Sequence, residues 1–85
     1  MNNTNNNLNN MPWEIEKIIN VANQLYRTGS TGASTGEWIA AAFVINSQQH
    51  LPANYRDMVE AWERLDNQWQ KYVKLIKRDY MHRIG

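Results

Sequence analysis

The chain contains no cysteine, which removes disulfides, thiolate zinc sites and a cysteine nucleophile from consideration. Its two histidines, His50 and His82, lie 32 positions apart, poor material for a metal site, and no cofactor is expected. Net charge is nearly absent too: nine Lys+Arg against eight Asp+Glu leave +1. Neither a strongly basic nucleic-acid coat nor an acidic mimic acting through bulk charge fits that balance. The longest apolar run, Trp38 to Ile45, is eight residues, against the roughly 20 that a membrane-spanning helix needs. No basic-then-apolar stretch opens the sequence, so a cytoplasmic protein without a membrane segment is expected.

What is present suits one small folded unit. The 85 residues are 42 % apolar and include four Trp, four Tyr and one Phe, enough for a compact core held by packing alone. Residues Met1 to Asn10 include seven Asn and have no face to bury, so they are expected to be a disordered leader to a single domain over 11–85.

Three helices follow from periodicity and punctuation. Pro12 suits a first helical turn, Glu14 and Glu16 favour its positive end, and Ile15, Ile18, Ile19, Ala22, Leu25 and Tyr26 recur at three- and four-residue spacing. Arg27, Thr28 and Gly29 close a helix over about 12–28. Ser34-Thr35-Gly36-Glu37 reads as a capping box. It starts a second helix, about 35–48, that is apolar on every side and therefore buried. Gln48 to Pro52 make a turn, and Asn54, with Asp57 three residues on, can cap the third. From Tyr55 to Arg83 there is neither Gly nor Pro, and Tyr55, Trp62, Trp69 and Ile76 keep a seven-residue register with Met58, Leu65 and Tyr72 between them. Val59, Val73 and Tyr80 widen that face. The pattern predicts one long helix over 54–83, and the fold class is a small all-α three-helix domain with a long C-terminal helix.

The residues offer little catalytic chemistry. Asp57, Glu60, Glu63 and Asp66 recur every three residues but alternate with Arg56 and Arg64, as on a solvated face. Neither histidine has an adjacent Ser or Cys that would make a nucleophile–base pair. The glycines at 29, 32 and 36 do not match a phosphate loop, which also requires a lysine that is missing here. A small anion or nucleotide at loop 28–36 is therefore only a third reading. Lys71, Lys74, Lys77, Arg78 and Arg83 form a local basic excess, of which Lys71, Lys74 and Arg78 share a face. A nucleic-acid-associated protein using that end is the runner-up. Four tryptophans suit a core, with Trp13 the best candidate for an outward anchor.

The leading expectation is a non-enzymatic protein-interaction module: an adaptor, inhibitor or assembly factor. Some 29 helical residues make a rod of roughly 44 Å, longer than either preceding helix. If the second helix masks its first half, Trp69, Tyr72, Val73, Ile76 and Tyr80 need cover, rimmed by Lys71, Lys74 and Arg78. A homodimer or a protein partner would supply that cover.

Overall fold

A computed structural model describes residues 11–85; the leader expected over 1–10 lies outside the described residues. Helix α1 runs Trp13–Thr28, with Pro12 before it and Gly29 after it in the left-handed conformation (φ 80°), its N–H bonded to the Leu25 carbonyl. Ile15, Ile18, Ile19, Val21, Ala22 and Leu25 are buried. Tyr26, counted with that stripe from its spacing, is exposed, and Val21 is buried instead. The reason is that α1 is contacted from two sides, by the second and the last helix, so its buried arc is wide and centred on Ile18.

The loop to the next helix is stitched by its own hydroxyls. Thr28 Oγ1 donates to the Gln24 carbonyl (2.8 Å) and accepts from Ser30 N (3.2 Å), and Ala33 N donates to Thr31 Oγ1 (3.2 Å). Helix α2, Thr35–Val44, opens on the expected capping box: Glu37 N donates to Ser34 Oγ and Ser34 N to the Glu37 carboxylate. It ends at Val44, four residues short of the 48 expected. Asn46 takes a left-handed φ of 56°, its N–H bonding Phe43 O while Ser47 N–H bonds Ala42 O. That pair of bonds is a Schellman closure, with asparagine standing where glycine is commoner.

Two short 3₁₀ turns, Gln48–His50 and Ala53–Tyr55, lead to α3, Met58–Arg64. Its cap is Asp57, whose carboxylate accepts from Glu60 N at 3.0 Å; Asn54, expected in that role, lies inside the second 3₁₀ turn. The single rod over 54–83 is not formed. The chain leaves the helix at Leu65 (ψ 137°) and restarts at Asp66 (ψ 173°), which caps α4, Asn67–Asp79, by accepting from Trp69 N at 2.9 Å. The Gln70 amide spans the break, donating to the carbonyls of Trp62 (2.8 Å) and Leu65 (3.3 Å). Packing supplies the reason. The two halves of the rod meet different neighbours, α3 chiefly α2 and α4 both α1 and α2, and each half has its own pair to bury, Ala61 with Leu65 and Val73 with Ile76. Bent, the chain buries all four.

Beyond α4 a 3₁₀ turn, Met81–Arg83, brings the chain back onto α1. Asn23 clamps it there, donating to Arg83 O (3.0 Å) and accepting from Gly85 N (2.8 Å), and Arg83 pairs with Glu16. The described residues are all-helical, with no strand and no buried charged side chain. No described helix is long and apolar enough to cross a membrane.

Candidate interaction face

The residues singled out on the long-helix premise fall into two groups. Tyr72, Val73 and Ile76 point into the core, Ile76 fully buried, and Trp69 and Tyr80 are half-buried at its edge. Trp69 stands edge-on to Tyr72, ring centres 6.2 Å apart. That seam is covered within one chain by α1 and α2, because the break at Leu65 lets α4 lie against both. The need for a second copy at this seam therefore disappears.

Lys71, Lys74 and Arg78 lie on the exposed side of α4, yet most of the basic cluster already has a partner. Arg78 forks onto Asp79, Nε to Oδ1 at 3.1 Å and Nη2 to Oδ2 at 2.9 Å. That hydrogen bonding holds the Asp79 carboxyl below its ordinary range and raises Arg78. Lys77 Nζ donates to Phe43 O at 3.2 Å and to Asn46 Oδ1. It thus sits where the α2 dipole is negative, and partial burial lowers its pKa. Lys74 Nζ lies 6.0 Å from the centre of the Trp62 ring, at the outer limit of a cation–π contact. Arg83 is held by Glu16. Of the five cations, Lys71 alone has no intramolecular partner among the described residues.

The same bend creates a face that the heptad reading hid. Cutting the rod at Leu65 turns α3 so that Ala61 and Leu65 face inward while Met58 and Val59 come to the surface, 43 % and 66 % exposed. Trp62 stays half-buried, edge-on to Phe43 from the end of α2 with ring centres 5.1 Å apart. Beside this aromatic ledge opens an apolar notch of about 90 Å³ lined by Ala42, Phe43, Asn46, Leu51 and Met58. Pockets for drug-sized ligands run from about 300 Å³ upward, so the notch suits one inserted aliphatic side chain. Tyr55, Met58 and Trp62 carry a signal in the sequence, but their seven-residue register looks the same as the first half of a continuous seam.

Three other places were candidates. Ser47 Oγ lies 2.6 Å from His50 Nδ1, a pairing across three residues that adjacency in the sequence does not reveal. The His50 carbonyl accepts from Trp38 Nε1 at 2.5 Å, and its Nε2 packs over Gly29. His50 thus ties the turn to α2 and the end of α1, a knitting role. At loop 28–36 the Thr28 and Thr31 hydroxyls donate to Gln24, and the Ser34 hydroxyl accepts from Glu37 N. An anion entering the cleft beside Gly36 would meet the Asp66 carboxylate as well as Arg64. Trp13, at the start of α1, is 65 % exposed, where an outward anchor was expected. No group of three metal-ligating side chains occurs among the described residues. Comparison with protein-family models, curated proteins and solved structures found no match.

Proposed function

We propose that this chain is a non-enzymatic protein-interaction module whose contact face is the ledge of Phe43, Met58, Val59 and Trp62, with Lys74 and Lys77 as its basic rim. One observation supports the reading: Met58, which lines a notch of side-chain size, and its sequence neighbour Val59 are both exposed. Two exposed apolar neighbours beside an aromatic pair concentrate the features of a binding hot spot. The basic end of α4 supports the nucleic-acid reading less well. Phosphate binding draws on several free cations, whereas Arg78, Lys77 and Arg83 are engaged within the chain.

The test uses the immobilised chain and nuclease-treated extract of the source cells. A specific protein should be retained by the wild type and lost from Val59→Glu, a change at an exposed position that leaves the core intact. Retention of nucleic acid from untreated extract, falling steeply with salt and indifferent to Val59→Glu, would overturn the proposal.

A further inference from the structure

The face has an order of charges that fits one occupant better than others. Around α3, Glu63 lies four residues from Val59, and Val59 three residues from Trp62, so the three succeed one another across the helix surface. Beyond Trp62 stands Lys74 at 6.0 Å, with Lys71 one turn earlier on the same exposed side of α4. Glu60, also exposed, extends the acidic edge. The strip therefore reads acid, aliphatic knob, aromatic ledge, base, with the apolar notch beside its middle.

We infer that the occupant of this face is a second copy of the chain, bound about a two-fold axis running through the apolar middle of the strip; this rests on the interaction-module reading. A two-fold contact is isologous: whatever lies at one end of the strip meets what lies at the other end of the partner's strip. Rotation about that axis sets the acidic edge of each copy, Glu60 and Glu63, against the basic edge of the other, Lys71 and Lys74. It also brings the Val59 knob of each toward the other's notch, whose wall is Met58. A patch carrying both signs about an apolar centre is complementary to itself, whereas an acidic peptide would match only the Lys74 side and be repelled by the Glu63 side. The elongated seam of α4 plays no part, being closed inside each chain.

The experiment is light scattering on the purified full chain over a concentration series, with circular dichroism to check folding. The wild type should rise from the 10.0 kDa of one chain toward twice that value, and Val59→Glu should weaken association by about tenfold or more. Two reversal variants extend the test: Glu60→Lys with Glu63→Lys, and Lys71→Glu with Lys74→Glu. Each alone should stay monomeric through like-charge repulsion, and an equimolar mixture should recover the dimer mass. All four positions are exposed, so the variants keep the core. A wild type that stays monomeric overturns the inference while leaving the interaction-module reading to the extract experiment. A dimer indifferent to Val59→Glu, or reversal variants that fail to associate when mixed, overturns it as well.

Discussion

Replacing Asp66 by alanine separates the bent chain from a continuous helix by the sign of the effect. In the structure Asp66 is an exposed N-cap with ψ 173°, its carboxylate accepting from Trp69 N at 2.9 Å. Removing such a cap costs about 0.5 to 2 kcal/mol. In a domain of this size about 1 kcal/mol moves the melting temperature by about 4 to 8 °C, so a fall of that order is expected. Were residues 54–83 one helix, Asp66 would be an exposed interior position. Alanine, the better helix former, would then stabilise by up to ~0.7 kcal/mol, and the melting temperature would rise. Asp66→Asn is the control, because asparagine caps about as well as aspartate and should remain close to wild type. The assay is thermal unfolding followed by far-ultraviolet circular dichroism, with urea midpoints as a second measure. A rise, or no change, on Asp66→Ala would refute the break at Leu65.

Three further outcomes are expected from the same structure. Ser34→Ala should lower stability by about 0.5 to 2 kcal/mol in urea unfolding, because it opens the capping box of α2. Ile76→Ala should cost about 2 to 5 kcal/mol, the range for truncating a fully buried aliphatic side chain, and a loss below 1 kcal/mol would show that α4 does not close the core. Burial lowers the Lys77 pKa from 10.5, so between the folded value and 10.5 the unfolded chain binds more protons than the folded one. Stability should therefore rise slightly with pH through that window in the wild type relative to Lys77→Met. The opposite slope would mean that the ammonium is stabilised at the end of α2.

The elements whose ends carry conventional punctuation were legible in the sequence. Gly29 closes α1 and the Ser34–Glu37 pair opens α2, and both follow from residue types alone. The end of α2 was not, because the left-handed residue there is Asn46, which reads equally well as a polar helix position. The break at Leu65 was hidden for a related reason. It needs no glycine or proline, since Leu65 and Asp66 adopt ordinary extended angles, and an acidic residue every third position looks like a charged helix face. On a continuous helix, Trp69, Tyr72, Val73 and Ile76 would form an exposed seam. In the folded chain the last three are core, and Met58 and Val59 on the other side of the bend are among the exposed apolar residues. Local periodicity recorded which residues are apolar. Tertiary packing against two short helices decided which of them are covered.

Site-specific photo-crosslinking asks whether the Met58–Val59 surface is where this protein meets another. A photoreactive residue is placed at position 59, or at exposed Gln24 on α1 as a control, and the full chain is irradiated in extract of the source cells. A discrete protein adduct is expected from position 59, at the mass of two copies if the partner is the chain itself, and none from position 24. Equal adducts from both positions, or no protein adduct from 59, would contradict it.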